Sequence, residues 1–138
     1  MRVMDLMERL RHRIGSLPEV KLAVLFGSHA RGTAGPRSDV DLGLLLEPDT
    51  RSARLHIEAE LGRAAGRSID VIYLDEAPPL LRFEISKDGL VLLEREDGLW
   101  THFKAKAMVD WWDWAPLAKR IEDAAIRRLR EKVAHGQA

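Results

Sequence analysis

Two short apolar runs stand on either side of a glycine-containing stretch, and the second carries a pair of acids inside an otherwise apolar strand pattern. The first is Val20-Lys-Leu-Ala-Val-Leu-Phe26, stopped by Gly27-Ser28. The second is Ser38-Asp-Val-Asp-Leu-Gly-Leu-Leu-Leu46, in which Val40, Leu42 and Leu44 share one face while Asp39, Asp41 and Gly43 share the other. That period of two is the signature of a β-strand. Residues 29–37 hold Gly32, Gly35 and Pro36, so they form a helical turn followed by a loop.

The rest of the chain supplies what such strands need. Val3, Leu6, Met7, Leu10, Ile14 and Leu17 recur at helical spacing and predict an amphipathic helix ending before Pro18. Asp49 or Thr50 caps a second helix that runs to about Ala65, with Ala53, Ile57, Leu61 and Ala64 as its stripe and Gly66 as its stop. Ser68–Leu74 reads as a third strand, with Asp70 and Ile72 opposite Ile69 and Val71. A short helix from Pro78 to about Lys87 and a fourth strand, Leu90–Leu93, follow. From about Gly98 the chain is helical, interrupted near Pro116, and its last segment bears Leu117, Ile121, Ala125, Leu129 and Val133 as a narrow stripe among charges. The expected class is α/β (α+β): one small mixed β-sheet with helices packed against it and a helical C-terminal tail.

The 138 residues, 46% apolar and 32% charged, are enough for one domain with its own core. The 22 basic and 22 acidic residues cancel, so nothing favours stable nucleic-acid binding, which draws its affinity from phosphate neutralisation. There are no cysteines, hence no disulfide framework and no thiolate chemistry. No apolar run approaches the ~18 residues of a membrane span, and Met1–Arg13 lacks the apolar core of a signal peptide. A cytoplasmic protein with no membrane association is expected.

Chemistry is concentrated around the acids. A Gly-Ser pair leaving a strand exposes backbone N–H groups that can cradle a phosphate, and the Ser28 hydroxyl adds a donor. Two carboxylates two apart on a strand point the same way, roughly 7 Å apart along the chain. They repel unless a cation lies beside them, and Mg²⁺ prefers oxygen ligands shared with substrate phosphates. A third carboxylate from a neighbouring strand completes a two-metal site for phosphoryl displacement. Asp70 is placed for that role inside an apolar strand, where an unpaired charge is costly; strand parity favours it over Asp75 and Glu76.

The stretch Leu25-Phe-Gly-Ser-His-Ala-Arg-Gly-Thr-Ala-Gly-Pro-Arg-Ser-Asp-Val-Asp-Leu42 resembles the signature of the polymerase-β-like nucleotidyltransferase superfamily, which is Gly-Ser, a ten-residue gap, then Asp-x-Asp. The later text, from Ile69-Asp-Val-Ile-Tyr-Leu to Phe103-Lys-Ala-Lys and Trp-Trp-Asp-Trp-Ala-Pro-Leu117, is similar to the minimal nucleotidyltransferases (MNT), small members commonly encoded beside an all-helical HEPN-domain toxin. The resemblance implies a nucleotidyltransferase fold over 1–138, with the catalytic core in 1–97 and C-terminal helices in 98–138. It implies that Gly27 and Ser28 bind the triphosphate of ATP and that Asp39, Asp41 and Asp70 hold two Mg²⁺ ions. It also implies transfer of AMP to a tyrosine of a HEPN ribonuclease toxin, within a hetero-oligomer. Arg31 and Ser38 are further candidate nucleotide contacts.

Other residues have weaker claims. His29 follows Ser28, but sequence neighbours rarely form a dyad and no Gly-x-Ser-x-Gly elbow is present. Arg37, Lys104 and Lys106 read as solvated loop and helix charges. Trp100, Trp111, Trp112 and Trp114 are expected to anchor the C-terminal helices, three in the core and one on a partner surface. The competing functions are an antitoxin working by occlusion alone and an aminoglycoside-type nucleotidyltransferase. The latter generally needs an extra substrate domain for which this chain leaves little room.

Overall fold

A computed structural model describes residues 3–134, with side chains placed from Asp5; Met1, Arg2, the Val3 side chain and the end of the charged tail at 135–138 lie outside it. The elements are α1 (Val3–Gly15), β1 (Val20–Phe26), α2 (Ser28–Arg31), β2 (Val40–Leu46), α3 (Arg51–Ala65), β3 (Ile69–Tyr73), α4 (Pro79–Asp88), β4 (Leu90–Glu94) and α5 (Leu99–Ala134). The four strands form one sheet in the order β3-β2-β1-β4. β1 runs antiparallel to both β2 and β4, and β2 runs parallel to β3, so the sheet is mixed as expected.

Each face is covered. Leu6, Leu10 and Ile14 of α1 and Ile57, Leu61 and Ala65 of α3 pack on Ala23, Leu25, Val40, Leu42 and Leu44. Burying each of these Leu and Ile side chains contributes about 1.5–3 kcal/mol relative to exposure. The second face carries Leu22, Val24, Leu74, Ile85, Phe103 and Ala107, closing α4 and α5 against the sheet. Gly43 sits on this face because a Cβ there would come within 2.6 Å of the Leu74 side chain. Polar bonds lock the layers. Glu60, buried on α3, pairs with Arg13 of α1 and with Arg63. Arg95 donates to the carbonyls of Ile14, Leu17 and Val20, tying the end of β4 to the α1–β1 turn.

The α3 helix starts and stops where its side chains dictate. Thr50 Oγ1 accepts from Ala53 N at 3.0 Å, and Gly66 adopts φ 66° at the C-terminus. Asp49, the other cap candidate, pairs with Arg54 at 2.7 Å instead.

The tail departs from expectation in two ways. The predicted break near Pro116 is absent: α5 is one helix of 36 residues with Pro116 inside it. Proline removes the amide that would bond the Trp112 carbonyl, and the helix continues through it on a stretch where Trp112 itself is 65% exposed. Nor are three tryptophans buried. Trp100 and Trp111 are half-buried, stacked on Phe103 and Phe83 respectively, whereas Trp112 and Trp114 are both exposed. The helix follows the sheet only as far as Phe103 and Ala107, so the later aromatic residues have no core to enter. Among the described residues no helix is long and apolar enough to cross a membrane.

Candidate active site

The site begins where β1 stops. Gly27 takes φ 73° and ψ −153°, a backbone conformation close to glycine-only, and turns the chain into the single helical turn α2. Arg31 N donates to Gly27 O at 3.1 Å, and Gly32 in the left-handed region ends the turn. The loop then returns through Gly35 and Ser38 to β2.

Register now does the gathering. Asp41 lies opposite Phe26, the residue before Gly27, and on its other side opposite Asp70 of β3. Paired residues on adjacent strands point to the same face, so Asp41 and Asp70 stand side by side, with Asp39 two residues earlier on the same side of the chain. The Asp41 carboxylate fills the space left by Gly27: a Cβ there would overlap Oδ2 and lie 3.2 Å from Cγ. Glu76, one of the alternatives to Asp70, is instead held by Arg54 at 2.6 Å beyond the far end of β3. Asp75 lines a separate pocket with Arg82, His102 and Lys106.

The apolar strand patterns around the acids do not bury all three: Asp41 is half-buried, while Asp39 and Asp70 are exposed. β3 is an edge strand, and Asp39 precedes the first residue of β2, so both reach solvent. The electrostatic strain therefore falls on Asp41. Burial pushes its carboxyl above the usual carboxylate range, and the charges of Asp70 and Asp39 push further in the same direction, while His29 and Arg31 pull it back.

A pH dependence follows. Folding raises the proton affinity of Asp41, so its contribution to stability is present below the ordinary value near 3.8 and is lost as pH rises through the raised value. In metal- and nucleotide-free protein, the melting temperature of Asp41→Asn should therefore gain on that of wild type as pH climbs from about 4 through that window; the comparison cancels the opposite slope from Asp49, Glu76 and Asp110, whose carboxyls are held low by their arginine partners.

The other candidates are placed as follows. Arg31 is exposed, yet its charge reaches Asp41. The Ser38 hydroxyl accepts from Gly35 N at 2.9 Å and closes the loop turn. Arg37 is exposed in that loop. Lys106 pairs with Asp110, and Lys104 lies over the Trp100 ring, so both serve α5. An open cleft of about 650 Å³, lined by Thr50, Arg54, Tyr73 and Glu76 among others, lies away from the acids at the other end of β3. His29 and Arg67 are further neighbours of the site, meeting at the Ser38 carbonyl. Nothing in spacing marks Arg67, whose meeting with residue 38 is purely tertiary.

Among the described residues no three His, Cys, Asp or Glu side chains are already disposed to hold an ion by themselves. The donors at hand are carboxylate oxygens on an open surface beside a small-residue turn. That set fits Mg²⁺, which keeps waters and shares its shell with substrate phosphates, better than it fits a cation caged by protein alone.

The family model for polymerase beta nucleotidyltransferases matches residues 8–98, which run from within α1 to just past β4 and include all of these acids. This chain belongs to that family. The nucleotidyltransferase is 30% identical over 110 residues to a Methanocaldococcus jannaschii protein named "Putative protein adenylyltransferase MJ1547", covering 80% of this chain and 82% of the relative. It is 23% identical over 118 residues to the protein adenylyltransferase MntA of Aphanizomenon flos-aquae, covering 78% and 79%. Its fold is shared with a chain of a toxin–antitoxin crystal structure with AMP-PNP, at a TM-score of 0.71 and 23% identity over 91% of this chain and 99% of the other. The complex of a tri-AMPylated Shewanella oneidensis HEPN toxin with its MNT antitoxin contains a further match, with TM-score 0.67 and 20% identity over 87% and 98%.

Proposed function

We propose that this chain is an ATP-dependent protein adenylyltransferase that acts as an antitoxin, moving AMP from ATP to a tyrosine hydroxyl of a HEPN-type ribonuclease toxin. The observation that carries the reading is the in-register pairing of Asp41 with Asp70 against Gly27. Folding alone gives no reason to gather like charges there, since each raises the cost of ionising Asp41. The names of the relatives support protein adenylylation as the reaction, and the toxin–antitoxin neighbours support the class of partner.

In this mechanism the Gly27–Ser28 turn receives the triphosphate, with backbone amides and the Ser28 hydroxyl as donors. Asp39, Asp41 and Asp70 would hold two Mg²⁺ ions, which supply charge neutralisation at the leaving pyrophosphate and acidify the acceptor hydroxyl. Asp70, exposed on the edge strand, faces the side from which a bulky protein acceptor can approach, and it takes the hydroxyl proton. The acceptor oxygen bonds to the α-phosphorus as the bond to the β-phosphate bridge breaks, and pyrophosphate departs. Arg31 adds positive charge near Asp41.

The decisive experiment mixes the chain with the product of its neighbouring gene, Mg²⁺, and ATP labelled at either the α or the γ position. Label from α should appear on the partner; label from γ would mean kinase chemistry and overturn the assignment.

Binding without chemistry is the second reading, and one feature favours it. Leu117, Ile121, Leu129 and Val133 on the last half of α5 are 49–63% exposed, an apolar stripe that the fold itself leaves uncovered. Ile121→Glu with Leu129→Glu should leave the melting temperature within about 1 °C, because exposed positions carry little stability. The same pair should weaken toxin binding at least tenfold by titration calorimetry if the stripe is the docking surface, since each buried anchor contributes about 1.4 kcal/mol or more. Unchanged binding would remove the support for occlusion through this helix.

A further inference from the structure

We propose that His29 and Arg67 form a clamp that positions Asp39 and Asp70 relative to Ser28, a role that rests on the adenylyl-transfer reading. Three segments distant in sequence meet at one carbonyl. His29 Nε2 lies 3.2 Å from Ser38 O, and Arg67 Nη1 lies 3.5 Å from the same oxygen and 3.5 Å from Nε2. His29 directly follows Ser28 of the phosphate turn, Ser38 directly precedes Asp39, and Arg67 stands three residues before Asp70.

The geometry admits both side chains on that carbonyl: an oxygen with two lone pairs accepts from Arg67 Nη1 and also from His29 when a ring proton sits on Nε2. Nδ1 then keeps only a lone pair, and that atom is buried without a hydrogen-bond partner among the described residues. His29 is itself only 5% exposed. A leucine would fill the space without burying an unmet polar atom, so the imidazole is explained by what its other nitrogen does.

The clamp holds the backbone on the near side of Asp39, and a second bond holds the far side. Val40 N donates to Ser68 O at 3.1 Å, the residue after Arg67. The Asp39 carboxylate is exposed, so its direction depends on the peptide planes that flank it. Both planes are pinned to the connection that delivers β3 and Asp70. His29 and Arg67 are thus positioning residues: they act through the Ser38 carbonyl to align Asp39 and Asp70. Partners of this kind around metal-ligating carboxylates typically change metal affinity or activity about 10–100-fold when removed.

The test uses the full chain and its toxin, with His29→Ala, His29→Gln, Arg67→Ala and the double variant His29→Ala/Arg67→Ala. Glutamine places an amide donor near the position of Nε2, so it should restore most of what alanine loses. Amide hydrogen exchange in apo protein should accelerate over 33–39 in both alanine variants and not in His29→Gln. At a temperature well below each variant's melting point, the alanine variants should need about tenfold more Mg²⁺ for half-maximal transfer and bind a non-hydrolysable ATP analogue with Mg²⁺ about tenfold more weakly. The double variant should be no worse than the poorer single one, because both side chains act through one carbonyl.

Several results would overturn the clamp: unchanged exchange over 33–39, unchanged Mg²⁺ dependence beside a lowered melting temperature, failure of His29→Gln to recover, or additive losses. Should His29→Ala fail to fold, the glutamine variant and Arg67→Ala carry the same comparison. Failure of the adenylyl-transfer reading looks different, since wild-type protein itself would then show neither transfer nor analogue binding, and the positioning role would fall with it.

Discussion

Asp41→Asn is expected to abolish AMP transfer while making the empty protein more stable. Asparagine keeps the shape of the side chain and removes its charge, so the packing beside Gly27 survives. Transfer should drop by about three orders of magnitude or more, in line with losing a group that organises charge at a reacting phosphate. Stability should move the other way. The wild-type carboxylate is partly desolvated and faces Asp70 and Asp39, all of which disfavour its ionised form. The two measurements are a labelled-ATP transfer assay and a thermal melt at neutral pH in a chelating buffer. A variant that retains transfer within tenfold of wild type would remove Asp41 from the chemistry. One that melts lower would show that the acids are not strained by each other.

Gly27→Ala should damage both the fold and the chemistry. Two costs coincide there. The backbone conformation, φ 73° and ψ −153°, is one that residues with a Cβ avoid, at about 1–3 kcal/mol. The new methyl would also overlap Asp41 Oδ2, and it is Asp41, not a flexible surface chain, that would have to move. Stability should fall by several degrees in melting temperature, and transfer should fall at least 100-fold because the displaced carboxylate leaves Asp70 without its partner. Combining Gly27→Ala with Asp41→Gly separates the costs: the overlap disappears while the backbone cost stays. If the pair is as unstable as Gly27→Ala alone, the backbone accounts for the whole effect and the contact with Asp41 for none. Equal transfer by Gly27→Ala and wild type would refute the idea that this turn shapes the site.

Much of the architecture could be read from local pattern. The run Val20–Phe26 and the capped helix Arg51–Ala65 carry their own boundaries, in Gly27, Thr50 and Gly66, and the structure places both elements at those limits. The alternation from Val40 to Leu44 also indicated which side of β2 meets α1 and α3. Periodicity reports what repeats, and it failed where the outcome depended on surroundings. Pro116 falls on a stretch of α5 that has left the sheet, and whether a helix absorbs a proline there depends on surroundings that no local rule contains. Asp70 looked costly inside apolar text, but it lies on an edge strand that opens to water. His29 could be dismissed as a nucleophile's helper from sequence alone. Its meeting with Ser38 and Arg67 spans a loop and a strand crossing that pattern cannot see.

The alignment of Asp41 with Asp70 comes from the parallel pairing of β2 and β3, in which Val40 meets Ile69 and Leu42 meets Val71. Side chains alternate at every residue, so a slip of one position would turn the edge-strand acid toward α1 and α3. The connection through residues 66–68 sets that phase. A relative that had gained or lost one residue there could retain every motif letter and still be inert, a pseudoenzyme invisible to any search that scores the letters alone. For chains built on this plan, the length of a three-residue joint is as informative about activity as the acids it delivers.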